Sequence, residues 1–259
     1  MRFLSVVILL AGLFGCSSNI SKNTLYPYID NRVHVDKPAI SQVMIASVNL
    51  GVPSRHYLTK YSDAVDRQIE AYLKKHEIRT VSNKPFEQQW KNAEERYGVL
   101  FNSISGELSS NHPNALKDSL DAVFANNPHL DAVVFTDLIE TNLQYQEASQ
   151  RYAEWHGVQR RLKIEGVGEG IPITFDWSYP VEGISIAISI YNRQHQLVFH
   201  SVGGIQVAQA IVLGNTSAQF RRRRDLLANE KEILEGIQLA FHPFISMKKY
   251  PQTPQQLKD

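Results

Sequence analysis

The sequence predicts an α/β domain with a single mixed sheet and helices packed on it, following a signal peptide and a flexible tether. Short apolar runs alternate with amphipathic segments of helical spacing through the first half of the chain. A strict period of two follows in residues 183–191, which predicts a strand with one buried face. Because 43% of the residues are hydrophobic and 20% charged, the chain can bury a core and is not disordered.

The first half predicts strands and helices in alternation. Val43 opens a short apolar run that ends before Gly51 and Pro53, as a buried strand does. A helix that starts near Pro85 is expected to bend or break at Gly98. The predicted elements, in order, are a strand at 43–50, a helix at 62–76, a strand at 78–81, a helix from 85, a helix at 112–126 and a strand at 130–138. This alternation favours a mixed sheet covered by helices.

The second half predicts a hairpin and a closing helix. Ile184, Ile186, Ile188 and Ile190 alternate with small residues and would face the core. The remaining predicted elements are a strand at 160–165, a glycine-rich loop at 166–170, a turn at 192–196, a return strand at 197–201 and a helix at 223–241. The domain boundaries expected from these elements are 1–15 for the signal peptide, 16–38 for the tether, 39–245 for the domain and 246–259 for a polar tail.

The amino terminus has the features of a secretion signal. Arg2 supplies a positive start, and residues 3–14 are apolar except for Ser5 and Gly12. The run is shorter than the roughly 20 apolar residues that a transmembrane helix needs. Cys16, which follows directly after Gly15, is the only cysteine in the chain, so no internal disulfide or thiolate metal site can form.

Residues 13–16, Leu-Phe-Gly-Cys, resemble the lipobox of bacterial lipoproteins. The resemblance implies cleavage before Cys16 and acylation of that residue, and several acyl chains would anchor the protein stably to a membrane. Ser17 in place of Asp implies sorting to the outer membrane, with the domain in the periplasm. An ordinary cleaved signal with a chance cysteine is the alternative.

The domain itself resembles the small α/β domain shared by the TolB amino-terminal region, LpoB and CsgG. The resemblance rests on the first apolar strand, on the Leu-Asp-Ala-Val-Val-Phe run at 130–135, on the hairpin at 184–201 and on the long closing helix. It covers residues 39–244, and the chain departs from it at 85–127 and at 145–180. It implies a binding or assembly module and no hydrolase, but a fold alone does not define a function.

Composition and spacing disfavour several kinds of site. Without Arg2 of the signal, 26 basic side chains balance 26 acidic ones, which gives no reason to expect a nucleic-acid partner. The nine histidines include no pair at i,i+3 or i,i+4, so no metal site and no cofactor are predicted. No nucleophile motif of the Gly-x-Ser-x-Gly type occurs, and the acids Asp176 and Glu182 are one of many loop pairs that could face a cleft.

Two segments are candidate contacts for a partner or for lipid headgroups. The first is the arginine run before the closing helix, which could bind phosphates or an acidic protein, or could simply be a solvated helix start. The second is a polar, aromatic tract with the composition of a contact hot spot, which could otherwise be an amphipathic helix on the sheet. The residues concerned are Arg221, Arg222, Arg223, Arg224, Tyr145, Tyr152 and Trp155.

The sequence therefore favours a lipid-anchored outer-membrane protein that binds and assembles or activates another envelope protein without catalysing a reaction. A ligand-binding or peptidoglycan-acting lipoprotein is the main alternative, and a deep pocket with convergent polar groups would favour it. A flat, exposed, aromatic-rich patch would favour the partner-binding function. A ring or pore subunit is a third possibility, although only residues 183–201 form a long alternating segment. The oligomeric state is not predicted.

Overall fold

The computed structural model describes residues 40–46, 53–102, 107–143, 152–168 and 170–251. Cys16, Ser17 and Tyr145, together with the signal peptide and tether, lie outside these ranges. The helices are α1 (Ser62–Lys75), α2 (Lys84–Tyr97), α3 (His112–Asn126) and α4 (Glu230–Phe241), with a 3-10 helix over Pro53–Tyr61. The strands are β1 (Gln42–Ala46), β2 (Arg79–Val81), β3 (Ala132–Leu143), β4 (Tyr152–Trp155), β5 (Val158–Arg161), β6 (Lys163–Gly166), β7 (Val181–Asn192), β8 (Leu197–Val207), β9 (Gln209–Leu213) and β10 (Ala218–Arg222).

The predicted α/β class is confirmed, and the main sheet is mixed. Its five strands have the order β2-β1-β3-β7-β8, with β1 parallel to both β2 and β3 and the pairs of β7 antiparallel. Two smaller sheets accompany it among the described residues, one of order β10-β9-β6 and one formed by the hairpin β4–β5. The sequence predicts a single sheet, so these two are additions to the expected architecture.

Helices cover both faces of the main sheet. On one face α1 and α4 pack on the four isoleucines of β7, each of which is fully buried as their alternation predicts. On the other face α2 and α3 pack over β1 and the start of β3, where Met44 and Val133 contact Phe86 and Leu120. The hairpin β4–β5 covers the far end of this second face, because Trp155 lies against β7.

The closing helix begins later than the sequence predicts. Arg221 and Arg222 belong to β10, and α4 starts only at Glu230. The side chain of Asn229 accepts a hydrogen bond from the backbone N–H of Lys231 at 3.1 Å, which caps the new start. The arginines therefore do not form a helix start, and the strand geometry of β10 sets their directions.

The return strand of the hairpin and the domain itself both extend further along the chain than the sequence predicts. Strand β8 continues through Gly203 and Gly204 to Val207 instead of ending at the glycines. A Cβ atom on Gly203 would lie 2.0 Å from the carbonyl oxygen of Gly236, so the glycine serves close packing of α4 on β8. Past residue 245, Met247 and Tyr250 pack against a second core, so part of the predicted polar tail belongs to the domain.

Candidate partner-binding surface

The side chains of the edge strand β10 point alternately to its two faces. Phe220 and Arg222 point to one side and Gln219 and Arg221 to the other, because side chains alternate along a strand. β10 pairs with β9 on one edge only, and it forms the outer strand of its sheet. Arg221 and Arg222 consequently lie on opposite faces of the strand and do not form a single patch.

Phe220 joins a group of aromatic rings from the irregular segment before β7. Its centroid lies 5.0 Å from that of Phe175 and 5.5 Å from that of Tyr179, and Phe175 and Trp177 are 4.9 Å apart. Tyr179 is 52% exposed and the neighbouring Ile173 is fully exposed. We call Ile173, Phe175, Trp177, Tyr179 and Phe220 the aromatic surface. Ile173 and Tyr179 are its exposed members, whereas Phe175, Trp177 and Phe220 are half-buried and pack against the second core. Exposed apolar side chains that adjoin half-buried rings are a candidate interaction site.

Arg222 extends this surface and is held in place from two sides. Its guanidinium lies 3.6 Å from the centroid of the Tyr57 ring and 3.1 Å from a carboxylate oxygen of Glu182. The Tyr57 hydroxyl donates to Glu140, and burial together with this carboxylate raises the pKa of Tyr57 far above its ordinary value. These contacts restrict the side-chain conformations of Arg222. It therefore loses less conformational entropy on binding a partner than an unrestrained arginine would.

The remaining arginines differ in their surroundings. Arg223 is largely buried and donates to Asp225 at 3.0 Å, where Lys163 also contacts the carboxylate. These two cations hold the pKa of Asp225 well below its usual range. Arg221 and Arg224 are exposed. The structure therefore separates a structural Arg223 from three arginines that a partner could contact.

The described part of the second predicted contact segment, residues 152–155, is strand β4 of a β-hairpin and not a helix. Tyr152 on β4 is 53% exposed, but Trp155 is fully buried, so the prediction that Trp155 lies on a contact surface is wrong. Its indole N–H donates to the Ser185 hydroxyl at 3.0 Å, and its ring lies over Gly183. The missing side chain of that glycine makes the room that the indole occupies.

The acids considered as a catalytic pair each accept hydrogen bonds from other side chains or from the backbone. Glu182 accepts hydrogen bonds from Gln209 at 2.6 Å and from Arg222. Asp176 instead accepts from the backbone and hydroxyl of Ser178, and these bonds lower its pKa. Both carboxylates are therefore engaged in local structure.

Within the described ranges, no group of three His, Cys, Asp or Glu residues could hold a metal ion. No helix in those same ranges is long and apolar enough to cross a bilayer. Comparisons of the chain with protein-family models, with curated proteins and with solved structures found no match in any of the three.

The sequence reasoning missed the aromatic surface, although part of its signal is visible. Phe175, Trp177 and Tyr179 stand at every second position between Pro172 and Pro180, in a segment without helical periodicity. That pattern would predict an extended segment with one aromatic side, whereas the structure has turns at 173–174 and 177–178. The alternation therefore indicates the residues but not their conformation. The contact of Phe175 with Phe220 was not predictable, because these residues are 45 positions apart and meet through a sheet that the sequence does not reveal.

Proposed function

We propose that this chain is a lipid-anchored protein of the bacterial outer membrane whose periplasmic α/β domain binds another envelope protein. Acylated Cys16 would hold it to the membrane, and the domain would act as a non-catalytic assembly or activator module. The anchoring half of the proposal rests on the apolar run at 3–14 and on the Leu-Phe-Gly-Cys sequence that ends at Cys16.

The aromatic surface is the observation that supports the binding half. Trp, Tyr and Arg are the side chains most enriched among residues that carry binding energy at protein interfaces. Here Trp177 and Tyr179 lie on a surface that Phe220 connects to Arg222 along one face of β10. The partner that fits is a protein with an apolar projection and a carboxylate-bearing rim, since apolar rings would bury the projection and the arginines would pair with the rim.

Membrane attachment explains why such a surface can be modest in size. A protein confined near the membrane meets its membrane-bound partner at a high effective concentration, so each contact needs little intrinsic affinity. Loss of the anchor should therefore weaken binding even when the aromatic surface is intact. This dependence separates the proposal from binding of a freely diffusing protein.

Site-specific photocrosslinking in intact cells tests both halves. A benzoylphenylalanine at position 179 is compared with one at position 152, because Tyr179 and Tyr152 are 52% and 53% exposed and lie on different elements. We expect one discrete adduct with an envelope protein from position 179 and none from position 152. The adduct should fall at least tenfold when Cys16→Ser abolishes the anchor, and again when Arg222→Gln removes the guanidinium that lies on the same face of β10 as Phe220.

Other outcomes would contradict the proposal in distinguishable ways. An adduct from position 152 alone would place the contact on the hairpin, and equal adducts from both positions would indicate nonspecific proximity. An unchanged adduct in the Cys16→Ser chain would refute the anchoring half. Hydrolysis of purified muropeptides by the chain, with no adduct at either position, would favour the peptidoglycan-acting alternative.

A further inference from the structure

A cleft of about 390 Å³ lies on the sheet face that α2 and α3 cover only in part. Helices α2 and α3 form one wall, and strands β3, β7 and β8 form the floor. Its volume falls within the range of small-molecule sites, which is roughly 300–1,000 Å³. The cleft lies apart from the aromatic surface, since its lining residues include none from β10 or from the segment at 171–180.

The floor of the cleft is a polar stripe across three strands. On β3 and β7 the residues of the opposite face are buried, while Asp137, Ala187 and Ser189 are half-exposed and line the cleft. The Ser189 hydroxyl lies 2.9 Å from Nδ1 of His200 on β8, and register pairs these two residues. Asp137 and Ala187 pair directly in the same way. A hydroxyl, an imidazole and a carboxylate thus converge beside one small residue.

The rest of the cleft, its helical wall and the end of its floor, is lined by apolar and largely aromatic side chains. Trp90 of α2, Leu116 of α3, Phe135 and Tyr191 line it above the polar stripe. Phe135 and Tyr191 meet edge to face with centroids 5.5 Å apart, which fixes the orientation of both rings. An apolar body between these side chains would replace water that makes poor hydrogen bonds there.

The charge of the lining selects against anions. Among the described residues that line the cleft, none is Lys or Arg, and Asp137 supplies a carboxylate. His112 also lines it, and burial lowers the pKa of this histidine, which keeps its imidazole uncharged at neutral pH. A carboxylate or phosphate ligand would find no Lys or Arg among the described lining residues, whereas an amine or hydroxyl could donate to the Asp137 carboxylate.

We propose that this cleft binds a small, largely apolar molecule whose polar head is an uncharged or cationic hydrogen-bond donor. The head lies on the stripe formed by Asp137, Ser189 and His200, and the body packs against the aromatic side chains. The site does not depend on the partner-binding function, because its described lining shares no residue with the aromatic surface.

The test uses two fluorescent probes with one ring system and different charge. N-phenyl-1-naphthylamine is an uncharged aromatic amine, and 8-anilinonaphthalene-1-sulfonate carries an added anionic group. Each is titrated into the purified full chain with a matched detergent blank. We expect saturable binding of the amine and at least tenfold weaker binding of the sulfonate. Equal affinity for the two probes, or no saturable binding of the amine, would overturn the proposal.

Substitutions locate the bound probe. Ala187→Leu fills the floor and should weaken binding of the amine at least tenfold, while Ala64→Leu makes the same change on the exposed side of α1 and should leave it unaltered. Ser189→Ala removes one polar atom at little risk to folding and should weaken binding about threefold or more. Circular dichroism checks that each variant is folded. If Ser189→Ala and a folded Ala187→Leu both bind as the parent does, the probe lies elsewhere and the assignment is wrong.

Discussion

The pH dependence of stability should reveal two buried groups whose effects oppose each other. His156 lies in the turn of the hairpin β4–β5, and its Nδ1 is 2.8 Å from the Ser185 hydroxyl. Burial lowers its pKa from the ordinary 6.5 to about 4. Below pH 6.5 the unfolded chain takes up a proton that the folded chain does not accept until about pH 4. Stability is therefore lost as the pH falls through this window, by about 3 kcal/mol in all.

Asp66 on α1 acts in the opposite direction. Burial raises its pKa from 3.8 to about 6 and outweighs the hydrogen bond from Thr136, which lowers it. The folded chain then holds a proton that the unfolded chain has released, so this contribution is present below 3.8 and is lost as the pH rises through about 6. Its size is again about 3 kcal/mol. In the parent chain the two slopes largely cancel between pH 4 and 6.

Urea unfolding of two single variants between pH 7 and pH 4 separates these slopes. In the Asp66→Asn variant only the pH dependence caused by His156 remains. Its free energy of unfolding should therefore be about 3 kcal/mol lower at pH 4 than at pH 7. His156→Asn should show the reverse sign, and Asn tolerates the positive φ of 40° at this turn. Measurements stop at pH 4 because Asp225, whose pKa is lowered, loses its ion pairs in more acidic solution. Parallel curves for the parent and both variants would refute the assignment of the two slopes.

The remaining predictions concern the close packing at Gly203 and the hydrogen bonds of the Arg193 guanidinium. Gly203→Ala should cost at least about 3 kcal/mol in the free energy of unfolding, because the added Cβ would lie 2.0 Å from the Gly236 carbonyl oxygen. Gly170→Ala is its control in urea unfolding, since an added Cβ there would meet no described atom within 4 Å outside its chain neighbours, and it should change stability by less than about 0.5 kcal/mol. Arg193→Lys should lower stability by about 2 kcal/mol in thermal unfolding, because the guanidinium donates to four backbone carbonyl groups around the end of α3 and an ammonium lacks the planar fork. A Lys variant as stable as the parent would show that these bonds contribute nothing.

Periodicity predicted the elements that lie against a helix or a sheet along their whole length. The spacing of Val65, Ile69 and Leu73 predicted α1, and all three are buried against the sheet. The alternation on β7 predicted the strand and its core face in the same way. These patterns suffice because one physical face is buried over many residues.

Short elements escaped prediction because tertiary contacts, and not their own patterns, decide their structure. Strands β9 and β10 have five residues each, and β10 mixes a half-buried Phe220 with charged neighbours. Nothing in the arginine run distinguishes a strand from the start of a helix until its partner strand is known. The structure exposes Arg221 and largely buries Arg223. The sequence identified the arginines as candidates, but it could not tell which of them are exposed.

Trp155 shows how glycines elsewhere in the chain can reverse a prediction of exposure. The polar residues around Trp155 in the sequence predict an exposed segment, but its side chain is fully buried. A Cβ on Gly183 would lie 2.7 Å from the indole Cε2, so the ring occupies the space above that glycine. Gly183→Ala should therefore cost about 2 kcal/mol or more. Trp155→Ala removes the two nearest atoms, Cε2 and Nε1, and leaves only Leu143 Cδ1 at 2.9 Å. The double variant should therefore be more stable than the sum of the two single losses predicts, by at least about 1 kcal/mol. Additive losses in urea unfolding would mean that the glycine is needed for another reason than the indole.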